Sequence, residues 1–401
     1  MKHLYYIINE CTAGNYGVGT YTRQIISSLN DDEKITVVHL QSNQLEVSTK
    51  YDGNIRHIHI PKCAGDEYIE IPHLSDLYYR TVFYLLKPFI SGEDDIIFHF
   101  QYTHVLPMVH WVKEYYPKCI AILTLHYMEW AFVLRGNTKQ LKSIIRQQRN
   151  ELNIENERIV YDSFYKTKEL FLSVDKTICL CKYAFELLTD TFNIPKEKIV
   201  LIPNGLDLSS NDTEGKIYKK RLFTNERIIL FVGRLERNKG VCYLLEAFRI
   251  LLSRIKNLRL VIVGDGDFRP YLKQCIGIWD KVSFTGKLDP EIIHELYIQA
   301  HVGVLPSFNE QCSYVVIEML QHGLPVVGTN STGLSEMISE GINGYKVNIQ
   351  KDNTICPDEL ADKIMLCMDN PQLSETAFDY YQNYYTAERM IKEYRNLYRS
   401  L

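Results

Sequence analysis

The segment FVGRLERNKG, residues 231–240, sets Gly233, Arg234 and Lys239 between an apolar run and an amphipathic stretch, VCYLLEAFRILL. Two cations and a pliant backbone at a helix start form an anion site, because unpaired N–H groups and the helix dipole add to the side-chain charge. A diphosphate is the ligand such a site suits, although solvated surface cations would leave the same pattern. No G-x4-G-K-[ST] sequence occurs, so this is not a Walker P-loop.

A second cluster lies in LPSFNEQCSYVVIEMLQHGLPVVGT, residues 305–329. Glu310 falls in a loop after an apolar run, and Glu318 on a helix ended by Gly323 and Pro325. If every intervening residue were helical, the two carboxylates would stand roughly 12 Å apart. A glycosidase acid/base pair needs about 5 to 9.5 Å, so the two acids are read as holding different parts of one ligand.

Glycine-bearing turns add two more candidates. VGDGD, residues 263–267, places Gly264 after an apolar run, with Asp265 and Asp267 as turn residues, but lacks the third glycine of a dinucleotide fingerprint. Near the start, Gly14, Gly17 and Gly19 would let a loop approach a ligand closely, or simply turn a strand into a helix. In KQLKSIIRQQR, Lys139, Lys142, Arg146 and Arg149 fall on one face if the segment is helical. Such a stripe fits an anionic acceptor, a lipid headgroup surface or plain solvent.

The elements that must position these residues follow from alternation. Apolar runs at 4–8, 35–40, 95–100, 119–126 and 176–180 alternate with longer helical stretches, which implies a parallel sheet covered on both faces. After IVLIPNGLD (199–207) and a polar stretch (209–221) the alternation restarts at 227–233, 258–264, 281–286, 302–307 and 324–329. The expected organisation is an α/β chain of two Rossmann-like, doubly wound domains, 1–205 and 206–375, facing each other across a cleft. Residues 376–401 form a helical tail that could cross back to the first domain. At 401 residues two cores are the natural division. The net charge of -4 gives no footprint for nucleic acid. Ten cysteines without Cys-x2-Cys spacing support no zinc knuckle and suggest reduced core thiols in a cytoplasmic protein. No run reaches the length of a spanning helix, so membrane contact, at the inner face, would be peripheral.

Taken in order, these motifs resemble glycosyltransferase family 4, the retaining transferases of GT-B fold. The family's Glu-x7-Glu matches Glu310 and Glu318, and G-R-L-x3-K-G matches 233–240. Its PNG-x-D hinge matches 203–207, and its glycine after the first strand matches Gly17 or Gly19. The resemblance implies that Arg234 and Lys239 neutralise a donor diphosphate, that Glu318 bonds the ribose hydroxyls and that Glu310 contacts the transferred sugar. It also makes His126, at the end of LTLH, similar to the family's sugar-proximal histidine, although a strand-end histidine is by itself commonly structural. Gly17, Gly19, Gly233 and Gly264 would bring backbone to the donor. The resemblance likewise implies that Ser313 and Tyr314 lie in a turn whose N–H groups would face phosphate or sugar. Ser313 stands where the family usually has glycine, which bears on donor choice.

The implied activity is retaining transfer of a hexose-type sugar from a UDP- or GDP-linked donor to a glycan, lipid-linked intermediate, small molecule or peptide. No metal and no cofactor beyond the nucleotide sugar are expected. A nucleotide-sugar epimerase of the same fold and a non-catalytic nucleotide-sugar-binding subunit are the competing readings.

Overall fold

Runs of β-branched and aromatic residues, too short for helices and buried on both faces, set most of the strands. The computed structural model describes residues 2–10, 17–28, 34–62, 72–90, 95–207 and 226–401; Cys11, Gly14, Cys63 and the polar stretch 209–221 lie outside the described residues. The chain divides into two units. Unit 1 comprises Met1–Trp130, Lys139–Pro203 and Met390–Leu401, and unit 2 comprises Ala131–Thr138 and Asn204–Arg389.

Unit 1 holds β1 (Lys2–Asn9), β2 (Lys34–Ser42), β3 (Ser48–Asp52), β4 (Ile55–Pro61), β5 (Asp95–Phe100), β6 (Ile120–Leu125), β7 (Lys176–Cys179) and β8 (Ile199–Leu201). They lie in the order β3-β4-β2-β1-β5-β6-β7-β8. Every pairing is parallel except the β3–β4 hairpin. That hairpin was not among the expected strands. β3 is polar and exposed along most of its length, so it carries no apolar signal, and its two-residue turn begins at Gly53 with φ +55.

The last helix, Ala387–Ser400, brings Tyr394 and Tyr398 fully into the unit 1 core. Tyr398 Oη lies 2.7 Å from His99 Nδ1, and His99 Nε2 lies 2.7 Å from Thr124 Oγ1. Tyr21 joins both Thr124, at 3.0 Å, and Tyr394. These buried hydroxyls satisfy one another, which is what permits so much polar surface inside.

Unit 2 holds β9 (Arg227–Val232), β10 (Leu258–Val263), β11 (Val282–Gly286), β12 (Val302–Leu305), β13 (Val326–Thr329) and β14 (Gly344–Val347). Their order is β11-β10-β9-β12-β13-β14, all parallel. Numbered within the unit this is 3-2-1-4-5-6, the doubly wound arrangement, and the order reverses between β9 and β12. The helix Val241–Arg254 packs on this sheet through buried Val241, Leu244, Leu245, Phe248 and Leu251. Each contributes about 1.5 to 3 kcal/mol by leaving water.

The basic stretch 139–149 is not one helical face. The helix Thr138–Ile144 stops before Arg146. Gln148 turns the chain into an extended conformation and is held there by a capping box with Glu151. Arg149 then grips Asp162 through two bonds of 2.6 and 2.7 Å. Eight cysteines among the described residues are free thiols. Also among the described residues, no helix is long and apolar enough to cross a membrane.

Two glycines test how tightly the unit 2 loops are set. Gly240 adopts φ +70, and a Cβ there would lie 2.1 Å from the Pro306 carbonyl oxygen; Gly277 adopts φ +80 with open space around it. Gly240→Ala should destabilise unit 2 by about 3 kcal/mol, and Gly277→Ala by only about 1 kcal/mol from its backbone strain. Urea unfolding of the two variants measures the difference, which isolates the Pro306 clash.

Candidate active site

Open α/β sheets bind ligands at the carboxyl ends of their strands, at the point where strand order reverses. In unit 2 that point lies between β9 and β12. The loop after β9 carries Gly233, Arg234 and Lys239, and the loop after β12 carries Glu310 and Ser313. Backbone bonds knit the two loops. Phe308 N–H donates to Asn238 O at 2.9 Å, and Ser307 Oγ donates to the same oxygen at 3.3 Å.

Across this junction Lys239 Nζ meets Glu310 Oε1 at 2.6 Å, with the two side chains 20% and 13% exposed. Glu310 is held from behind. Its N–H donates to Thr332 Oγ1 at 3.0 Å, and its carbonyl accepts from Thr332 Oγ1 at 2.8 Å and from Gly333 N–H at 2.9 Å. Arg234 pairs with Glu236 at 2.7 Å in a more open setting.

Gly233 and Gly264 end β9 and β10 side by side. Gly233 N–H donates to Val263 O at 2.9 Å, and a Cβ on Gly264 would lie 1.8 Å from the Gly233 carbonyl oxygen. The place of Gly264 is therefore fixed by loop packing in the first instance. Ser313 is the N-cap residue of the helix Tyr314–Gln321 but makes no side-chain capping bond; its N–H donates to Met337 Sδ at 3.2 Å. Because this helix starts only at Tyr314, Glu310 stands in the loop, and the all-helical spacing of Glu310 and Glu318 does not apply.

Glu318 projects from that helix and accepts a bond of 2.7 Å from the hydroxyl of the fully buried Tyr297. Burial pushes its carboxyl up to about 7, and the Tyr297 bond only partly offsets this. Tyr297 escaped the sequence reading because its link to Glu318 spans two elements and leaves no periodic trace. Arg135 escaped too. The segment Ala131–Thr138 belongs to unit 2, and its Arg135 guanidinium lies over the Phe308 ring at 5.1 Å.

The remaining candidates lie in unit 1. Gly17 opens the helix Gly17–Ser28 after β1, and the buried Gly19 lines a cavity there. His126 follows β6, with Nε2 3.0 Å from Gln101 Oε1 and its ring edge-on to Tyr21. Burial pushes its pKa down to about 3, so the ring is neutral at ordinary pH. A neutral imidazole donating from Nε2 keeps Nδ1 as an acceptor.

Two doubly wound units, parallel throughout except for the β3–β4 hairpin, are the architecture of the GT-B class. Superposition agrees: sucrose-phosphate synthase from Thermosynechococcus elongatus matches with TM-score 0.72 and 18% identity, over 100% of this chain and 99% of that one. Anabaena HepE, solved in complex with UDP and glucose, matches with TM-score 0.67 and 16% identity over 100% of both chains.

The family model for glycosyltransferase family 4 matches residues 16–210, and that for glycosyl transferases group 1 matches residues 226–370. The chain belongs to this family. An uncharacterized glycosyltransferase of Methanocaldococcus jannaschii is 35% identical over 190 residues, 45% of this chain and 48% of that protein. The chain thus spans about half the length of the curated relatives it matches.

The raised pKa of Glu318 has a measurable consequence. Below its ordinary value of 4.5 the group is protonated whether the chain is folded or not. As pH rises toward about 7 the unfolded chain ionises first, so folding stability is lost across that window. Glu318→Gln keeps an acceptor for Tyr297 and removes the loss. Its Tm should equal the parent's near pH 4 and exceed it by a few degrees near pH 8 in thermal unfolding.

Proposed function

We propose that the chain transfers a hexose-type sugar, with retention, from a nucleotide diphosphate donor, UDP- or GDP-linked, to a glycan, lipid-linked, small-molecule or peptide acceptor. The observation that carries this reading is the Lys239–Glu310 pair at the switch point of unit 2. A diphosphate arriving there meets Lys239, Arg234 and the start of the helix Val241–Arg254. Arg234 carries an exposed pair with Glu236, of a kind that contributes little to stability.

Once the phosphates engage Lys239, Glu310 is released to accept hydroxyl bonds from the sugar. Glu318 accepts bonds from the ribose hydroxyls in its ionised form. As the bond from the anomeric carbon to the diphosphate breaks, charge grows on the leaving oxygen and the fixed cations lower its energy. This is electrostatic preorganisation by Arg234 and Lys239, the role a divalent ion fills in other designs. In unit 1, Gly17 and Gly19 offer close backbone approach and His126 a neutral hydrogen-bonding ring, which suits an acceptor or sugar hydroxyl.

A thermal-shift panel of nucleotide diphosphates and nucleotide sugars tests the donor assignment. A matching nucleotide should raise Tm by several degrees at saturating concentration, and a flat response to every member of the panel refutes it. Lys239→Ala should lower turnover on the order of a hundredfold or more while the protein stays folded; unchanged turnover would remove Lys239 from the reaction.

A further inference from the structure

Outside the loops of unit 2, unit 1 gathers two imidazoles around one carboxylate, with a third imidazole behind them. β1, β2 and β4 are neighbours, Ile8 lies opposite His39, and His39 lies opposite His59. Side chains two apart on a strand share a face, so His57 and His59 project together. Glu10 follows β1, its N–H anchored to Leu40 O at 2.9 Å. Its Oε1 lies 2.8 Å from His59 Nδ1 and 3.1 Å from His39 Nδ1. These three atoms lie within 4.8 Å of one another, and the His39 and His59 rings stack at 4.2 Å. His39 Nε2 lies 2.8 Å from His57 Nδ1.

We propose that Glu10, His39 and His59 bind a divalent transition metal of the zinc type, with an open coordination position toward the cavity of about 1160 Å³ that Glu10, His39 and His57 line together with Gly19 and Arg23. Two imidazoles and one carboxylate form a three-ligand set of the kind that leaves a fourth position to water or a substrate atom. The surroundings fit as well as the ligands. With His39 bound through Nδ1, its Nε2–H donates to His57 Nδ1, which fixes tautomer and ring orientation in the way metal-bound histidines require. Without metal, the Nδ1–H of His59 donated to Glu10 occupies the same space, and metal binding at Nδ1 places that ring's proton on Nε2 instead. Magnesium and calcium prefer all-oxygen sites and are poorly served by two ring nitrogens. The site lies in unit 1 and is independent of the Arg234 and Lys239 assignment in unit 2.

The test is a calorimetric titration of the full chain, stripped with EDTA and dialysed, with Zn2+ and separately with Mg2+. One equivalent of Zn2+ should bind and Mg2+ should not. Glu10→Gln and His59→Gln should abolish binding, His57→Gln should weaken it about 10- to 100-fold, and His110→Gln, an exposed histidine elsewhere, should leave it intact. Because free thiols also take zinc, Co2+ provides the second readout: ligand-field bands without a thiolate charge-transfer band support the nitrogen and oxygen donor set. If the native chain takes up no equivalent of Zn2+, or if Glu10→Gln and His59→Gln bind as the parent does with unchanged far-UV circular dichroism, the proposal is wrong. Should one of these two variants fail to fold, the other decides the matter.

Discussion

Everything in unit 2 converges on the contact between Lys239 and Glu310. Two loops leave the carboxyl ends of β9 and β12, where helices on opposite faces of the sheet begin, and topology alone would let them diverge. They stay together because Gly240 presents no side chain to Pro306 O and because Asn238 O accepts from the Phe308 N–H. The ion pair then spans a seam already closed by backbone. A half-buried pair of this kind contributes little net stability, since desolvation offsets much of its attraction. What it does is keep a cation and a carboxylate ordered at one place, each neutralising the other.

Burial sets proton states in both units, with opposite sign according to the group. Removing water disfavours whichever form is charged, so Glu318 is pushed up to about 7 and His126 down to about 3. Near neutral pH, His126 therefore offers hydrogen bonds without charge, while Glu318 sits near the middle of its titration. A group so poised responds to small changes in its surroundings, and a ribose hydroxyl donating to Glu318 would favour its ionised form, as Tyr297 already does in part. The same desolvation raises the Tyr297 phenol, which keeps that hydroxyl a donor.

Most of the architecture was legible because its signals are local. The runs DIIFHF and RIILFV became β5 and β9, and the glycines after β9 and β10 marked turns where backbone touches backbone. The β3–β4 hairpin was missed because β3 is polar and exposed, even though Asp52-Gly53-Asn54 spells a tight turn. The helical stripe at 139–149 failed for the converse reason: periodic charge was present, but the helix ends at Ile144 and the chain is extended at Gln148. In the site, Arg234, Lys239, Glu310 and Glu318 carry motif spacing. Thr332, Tyr297 and Arg135 act through contacts between distant elements, and single-sequence spacing holds no record of those. The alternation HIHIP on β4 did place two histidines on one face, but Glu10 and His39 joined them only through sheet order.

Both units turn their chemistry out at the strand adjoining the reversal of sheet order, yet they fill the position differently. Beyond β9 stand lysine and arginine, which offer donors and no acceptor. Beyond β1 and along its neighbours stand imidazoles and one carboxylate, which offer both donors and acceptors. The same kind of strand end thus carries unlike residues in the two units, because the sheet fixes position while the side chains placed there fix the chemistry.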